Sequence, residues 1–316
     1  MCEGLDLGKS KTEEVVAIMG RLSAHLLEQR GLLQVGGPDA RSFLQGIVSN
    51  DVERVAPERA IWAAFLTPQG KYLHDFLIAE GPDAVLLLDC EAERRSDLLK
   101  RLKLYKLRSK AQLSDLTEAF VSLVFWGPDA AAVAGLPAEP GVARPFHGGS
   151  LFIDPRRAEL GLRALVPRPS VEAALAELDA EMADLAAWDR GRIAAGVPDG
   201  SRDMQVDKAI LLENGFDELG GVDWNKGCYM GQELTARTKY RGLIKKRLLP
   251  VEIAGATPEP GTPVTKDGKE VGEVRSVAEG VGLALLRLAA LEDLAPEGLI
   301  AGESKLTPKK PNWAVF

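Results

Sequence analysis

The chain has 316 residues, 46% of them apolar and 27% charged, with a formal net charge of −7. The length exceeds one usual core, so two or three packed domains are expected, and the acidic balance argues against indiscriminate nucleic-acid binding. No run of about eighteen uncharged apolar residues suggests a membrane span, and the N-terminus lacks the basic-then-apolar order of a secretory signal, so a soluble, cytoplasmic protein with no membrane partner is expected.

In chain order, residues 1–20 are polar and read as a flexible lead. Gly31 to Val35 reads as a strand, after which Gly36-Gly37-Pro38 opens a helix with Phe43 and Leu44 on its buried face. Ile61 to Thr67 and Tyr72 to Ala79 form a hairpin across Pro68-Gln69-Gly70. A strand at Ala84 to Asp89 leads into a helix on which Leu98, Leu102 and Tyr105 recur at helical spacing. Short strands fit Gln112 to Leu116, Phe120 to Phe125, Leu151 to Ile153 and Arg163 to Val166, and one long Ala- and Leu-rich helix fits Val171 to Ala195. Beyond Arg247 the strands Leu248 to Ile253, Glu270 to Val277 and Gly282 to Leu286, punctuated by Gly and Pro, read as a small β-barrel. The fold class is therefore α+β, with antiparallel sheets covered by helices and a C-terminal barrel. The domain division is a lead over 1–20, a first α+β domain over 21–150, a second over 151–243 and the barrel over 244–316.

Chemistry concentrates in Lys226 to Arg237, KGCYMGQELTAR. Gly227 and Gly231 bracket Cys228, which permits positive φ or close approach of a partner. Gln232 to Thr238 is expected as a helix on which Glu233 and Arg237 stand at i,i+4. If that helix extends back to Cys228, its N-terminus and Lys226 both favour the thiolate; the plainer alternative is a small buried cysteine beside a surface ion pair. Cys2, Cys90 and Cys228 are odd in number and form no CxxC pair, which fits a reducing compartment. His25, His74 and His147 follow no metal spacing, and Gly36-Gly37 completes no phosphate loop.

KGCYMGQE resembles the hallmark motif of the folate-binding YgfZ family, whose fold is shared with the aminomethyltransferase of the glycine cleavage system. GPDARSFLQGIVSND at Gly37 to Asp51, FLTPQGKYLHDF at Phe65 to Phe76, YKLRSK at Tyr105 to Lys110 and WDRGRIAAGVPD at Trp188 to Asp199 resemble the same family in the same order. GVPDGSRD at Gly196 to Asp203 and ELTARTKYRGLIKKRL at Glu233 to Leu248 are similar to its mitochondrial-type iron-sulfur assembly branch. The resemblance implies an aminomethyltransferase-like folate fold, a role in maturing [4Fe-4S] proteins, and a tetrahydrofolate-type ligand in a ring of domains. It implies that Cys228 acts as thiolate or cluster ligand, flanked by Lys226, Glu233 and Arg237. Folate contacts fall to Trp188, Tyr229, Gln232, Gly227 and Gly231, with Trp188 as a core aromatic being the plainer alternative. Two departures stand out: Gly31-Leu32-Leu33 lacks the family's other tryptophan, and Ala194 replaces the folate-contacting acid of the transferases. Neither Asp89 nor Asp97 aligns with the transferases' catalytic aspartate.

Two basic stretches sit on the acidic body. Arg94 to Lys110 carries eight basic residues against one acid, and Arg237 to Arg247 six against none. The first reads as a solvated helix face, or as a site for a folate tail, a tRNA backbone or an acidic protein. The second adjoins the motif, so Lys239, Arg241, Lys245 and Lys246 are candidate contacts for an iron-sulfur scaffold or carrier protein. Two functions remain: a folate-binding accessory in [4Fe-4S] assembly or repair, carrying a transient iron-sulfur cluster on Cys228, and a folate-dependent one-carbon transferase acting in tRNA modification, with any tRNA effect of the first being indirect.

Overall fold

The computed structural model describes residues 21–292 and 298–315; the expected flexible lead lies outside the described residues. The first two strands, β1 (Leu22–Leu26) and β2 (Arg30–Gly36), are consecutive yet enter different sheets. β2 joins β3 (Ile61–Leu66), β4 (Tyr72–Glu80), β5 (Leu86–Glu91) and β6 (Gln112–Asp115) in an antiparallel sheet of order β3-β4-β5-β2-β6. One face is covered by α1 (Ala40–Gln45) and α2 (Arg95–Lys106), which bury Phe43, Leu44, Leu98 and Leu102 against Leu33, Phe65 and Phe76. The other face meets the second sheet through Trp62, Leu77, Phe152, Leu165 and Phe216. β3 and β4 are buried on both sides, which is why their sequences are continuous apolar runs without alternation.

The second sheet is built from β7 (Phe120–Trp126), β8 (Ala143–Phe146), β9 (Gly149–Ile153), β10 (Leu162–Pro167) and β11 (Ala180–Met182), with α3 (Ala130–Val133) and α4 (Val171–Glu177) between strands. Its order is β11-β1-β7-β10-β9-β8, so β1 belongs here, and the expected boundary at residue 150 runs through the β8–β9 hairpin. The single long helix expected over Val171 to Ala195 does not form. It divides into α4, β11 and α5 (Ala186–Ala194), turning at Asp179 with φ of 43°. The helical propensity of Ala and Leu yields because residues 180–182 find parallel pairing on the free edge of β1.

After α5 and α6 (Gly200–Asp203) the chain runs back over the first sheet with little regular structure. Ala209 accepts the Tyr72 N–H (3.0 Å), and Ser49 accepts that of Asp223 (3.1 Å). The last part of the expected second domain therefore packs on the first. α7 (Gln232–Tyr240) follows, and the barrel closes from β12 (Lys246–Ala254), β13 (Pro263–Lys266), β14 (Lys269–Ala278), β15 (Val281–Arg287), β16 (Leu299–Ala301) and β17 (Ser304–Pro308). Arg192 of α5, fully buried, ties the barrel to the rest. It donates to Asp203 (2.9 Å) and to the Val197 carbonyl (2.7 Å), while Asp203 accepts from the Ser276 backbone of β14 (3.0 Å). Among the described residues no helix is long and apolar enough to cross a membrane.

One contact between α2 and the first sheet is pH-sensitive. His74 of β4 is buried with Nε2 2.9 Å from Asp97 of α2. Burial, then the Arg94 charge, pulls its pKa from the ordinary 6.5 down to about 4, against the pull of Asp97. Between those values the unfolded chain binds the proton and the folded chain does not, so this contribution is complete above pH 6.5 and is lost as pH falls towards 4. The loss is about 3 kcal/mol. Urea unfolding across that window will show a steeper fall in stability for the native chain than for His74→Gln; equal slopes would remove His74 from the account.

Candidate functional site

The candidate site is a strap, residues 223–232, laid over the end of the first sheet. It starts in a turn where Asp223 accepts the backbone N–H groups of Asn225 (2.7 Å) and Lys226 (3.0 Å). Lys226 then points inward. Its ammonium donates to the carbonyls of Gln45 (2.9 Å), Val48 (2.6 Å) and Asn50 (2.8 Å) and lies 5.1 Å from the Tyr229 ring. Burial lowers its pKa to about 8, against the nearby Asp51 and Asp223 charges. All three donors of the ammonium are committed to the chain that follows α1. The lysine expected to activate the thiol is thus a clamp on the backbone.

Tyr229 and Met230 straddle the sheet. Tyr229 is buried in the core between the two sheets, and burial pushes its hydroxyl up to about 12, whereas Met230 packs into the core under α1 and α2. Tyr229 is therefore an anchor of the strap. Gly231 follows at φ +80°, where a Cβ would stand 2.4 Å from the Thr67 carbonyl oxygen, and Gly70 faces it at φ +83° with a Cβ position 2.6 Å from the Gly231 carbonyl oxygen. These two glycines let the β3–β4 turn touch the start of α7. Gln232 closes the strap by accepting the Tyr229 N–H (3.1 Å).

Cys228 is exposed, as is the Asn225 side chain earlier in the strap. Gly231 in the left-handed region separates Cys228 from α7, so the helix does not reach back to the thiol. Gly227 beside it has no positive φ and nothing within 4 Å of a Cβ position, so no demand of the fold selects glycine there. Cys90, by contrast, is buried, with its thiol pushed up to about 12 by burial, and Cys2 lies outside the described residues. Along α7, Glu233 and Arg237 form an exposed pair at 3.2 Å. Lys239 pairs with Asp217 and lies 5.4 Å from the Trp224 ring. Arg241 and Lys245 are exposed without a carboxylate partner among the described residues, Lys246 is half-buried at the start of β12, and Tyr240 and Leu243 add exposed apolar surface. Among the described residues no three His, Cys, Asp or Glu side chains cluster as a metal site.

The expected folate position is elsewhere. Trp188 is buried, its indole donating to the Leu160 carbonyl (2.8 Å) with the Arg163 guanidinium 5.6 Å from the ring. The cavity beside it has a volume of about 10 Å³ and is lined by charged groups including Arg30, Asp75, Arg156, Arg163 and Asp199. Arg30 meets Asp89 at 2.6 Å, Arg163 stands 3.5 Å from the same carboxylate, and Arg156 grips Asp154 with two bonds of 2.9 and 2.7 Å. Asp75 accepts from Trp62 (2.8 Å) and Tyr72 (2.7 Å). Burial works against ionising Asp199, yet Arg192, Arg30 and Arg156 bring its pKa down to about 2. Such a volume holds about one water, so a pterin ring does not fit. Cys228, Gly227, Gly231 and Gln232 do not line this cavity. The buried arginines were missed in the sequence, although charged residues inside apolar strands, Asp75, Asp89 and Arg163, were the available signal.

Residues 245–316 match the family model described as the CAF17 C-terminal beta-barrel domain, and residues 10–137 match the GCVT N-terminal domain. The crystal structure of glycine cleavage system aminomethyltransferase T from Bartonella henselae superposes with a TM-score of 0.73 at 18% identity, covering 94% of this chain and 87% of that one. The class is thus an aminomethyltransferase-like fold closed by a CAF17-type barrel. Proteins of Mus musculus and Homo sapiens named iron-sulfur cluster assembly factor IBA57, mitochondrial, are 34% and 35% identical, covering 91% and 82% of this chain and 84% and 76% of their own. A homologue of that name in Coccidioides immitis is 30% identical over 86% of this chain and 73% of its own. The chain belongs to this family of iron-sulfur cluster assembly factors. Those relatives are named as mitochondrial, which overturns the expectation of a cytoplasmic protein.

The two motif glycines separate structure from surface. Gly231→Ala is expected to cost about 1–3 kcal/mol, because it strains a left-handed residue against the Thr67 carbonyl, whereas Gly227→Ala will stay within about 0.5 kcal/mol of the native chain. Denaturant midpoints of the two variants provide the check.

Proposed function

We propose that the chain acts in [4Fe-4S] cluster assembly or repair by offering Cys228 as a single thiolate to a cluster held by an iron-sulfur scaffold or carrier protein. The observation that carries this reading is a strap whose Lys226, Tyr229, Met230 and Gln232 side chains are engaged in the fold while its cysteine faces solvent beside an unobstructed glycine. One thiolate does not complete an iron site, and no further ligands cluster among the described residues, so the remaining ligands come from the partner. Ligation replaces the S–H bond with S–Fe and releases the proton, so the shared complex weakens as pH falls. Arg241 and Lys245, with Lys239, Lys246 and the exposed Glu233–Arg237 pair, form the polar rim on which such a partner settles, and Tyr240 and Leu243 supply apolar contact. The names of the relatives support the assembly role.

Tetrahydrofolate is left out of this reading because the cavity beside Trp188 has a volume of only about 10 Å³ and is lined by charged groups. A one-carbon transferase acting in tRNA modification loses support on the same ground.

Anaerobic reconstitution with ferrous iron, sulfide and a purified iron-sulfur carrier protein provides the test. The native chain is expected to form a complex with a shared cluster, visible in absorption and circular dichroism. Cys228→Ser will keep the native melting temperature and lose that complex; its retention would refute the thiolate role. Calorimetric titration with tetrahydrofolate is expected to give no binding heat, and saturable binding would restore the folate reading.

A further inference from the structure

The outer face of α2 has no function in the fold or in the cysteine strap. Its inner face buries Leu98 and Leu102, and Tyr105 meets Phe65 edge-on with ring centroids 5.8 Å apart. Outward, Leu104 is 65% exposed, and Leu107, just past the helix, is 87% exposed at φ of 46°. A leucine held in the left-handed region and turned to solvent costs about 1 kcal/mol or more and returns nothing to the core. Leu104 shares this open face of the helix with Ser96, Leu99, Lys100 and Lys103.

Most of the charges around Leu104 are uncompensated. Of the basic residues in this stretch, Arg94, Arg95 and Arg101 pair with Glu91, Asp115 and Asp97. Lys100, Lys103, Lys106, Arg108 and Lys110 have no carboxylate partner among the described residues; Asp39 meets Lys110 only at the backbone N–H, at 2.7 Å. Lys100, Lys103 and Lys106 follow one another at i,i+3 on one helix, a spacing at which like charges repel. On a chain of net charge −7 this is a local excess of one sign around exposed apolar side chains. The inner face of the helix shares a core with the strap, since Met230 packs against the cluster that holds Leu98 and Leu102.

We infer that the outer face of α2 docks an acidic segment of the partner protein, with an apolar side chain of that segment laid against the exposed Leu104 and Leu107 among the lysines. The inference rests on the reading of Cys228 as the partner's cluster ligand and supplies that partner's chemistry: carboxylates flanking a leucine- or phenylalanine-sized side chain. A phosphate backbone offers no apolar side chain to cover Leu104 and Leu107. The cations steer the encounter and the apolar contact holds it.

The probe is a dye-labelled synthetic peptide of glutamate pairs alternating with single leucines, followed by fluorescence anisotropy against the full-length protein at low and high salt. Binding is expected to weaken with salt. It is expected to fall at least about tenfold in Lys100→Glu/Lys103→Glu/Lys106→Glu, and by a similar factor in Leu104→Ser/Leu107→Ser, whose outward side chains leave the melting temperature unchanged. Cys228→Ser is expected to bind the peptide like the native chain, so loss of the shared cluster in that variant and loss of peptide binding in the α2 variants report on separate ideas. The inference is overturned if the lysine variant binds the peptide as well as the native chain does, or if a serine-for-leucine peptide binds equally. Tighter binding of unfractionated tRNA or of phosphatidylglycerol vesicles at the α2 face would also overturn it.

Discussion

The architecture depends on a lattice of buried arginine–carboxylate pairs. Arg30, Arg156 and Arg163 lie between the two sheets against Asp89 and Asp154, and Arg192 with Asp203 extends the lattice to the barrel. Charges removed from water are costly singly and tolerable only when paired and hydrogen-bonded, so each arginine fixes where its carboxylate must stand and thereby the register of one element on another. Apolar contact alone leaves such packing free to slide. Arg30, Arg156 and Arg163 also border the cavity beside Trp188 and leave little room there.

Against that frame the strap works by subtraction. Lys226 holds the chain after α1, Tyr229 and Met230 enter the cores on opposite sides of the sheet, Gly231 makes the close approach to the β3–β4 turn, and Gln232 caps the bend. Two consecutive side chains anchored in two cores leave the backbone between them little freedom. A thiol carried on such a backbone is presented in a fixed position without being buried, which is what a ligand offered to another protein's cluster requires.

Charge counts and charge pairing tell different stories. The six basic residues from Arg237 to Arg247 lose three to Glu233, Asp217 and Glu218, which leaves Arg241 and Lys245 as the exposed unpaired ones. The stretch around α2 keeps five of its eight. The stretch nearer the cysteine is therefore the more modest of the two, and the unbalanced positive charge lies on a helix that shares a core with the strap.

The sequence by itself determined what local chemistry decides. The Pro68-Gln69-Gly70 turn set the β3–β4 hairpin, apolar spacing set α2, Gly- and Pro-punctuated runs set the barrel strands, and the KGCYMGQE string marked the strap. Only the tertiary structure decided the rest, because those outcomes depend on partners far away in the chain. β1 left its neighbour β2 to pair with β7, residues 180–182 became a strand because β1 had a free edge, and Lys226 turned from the thiol to three carbonyls after α1. The small cavity beside Trp188 has the same origin: how much room Arg30, Arg156 and Arg163 leave there depends on how far apart the two sheets stand, a distance that no local run of residues encodes.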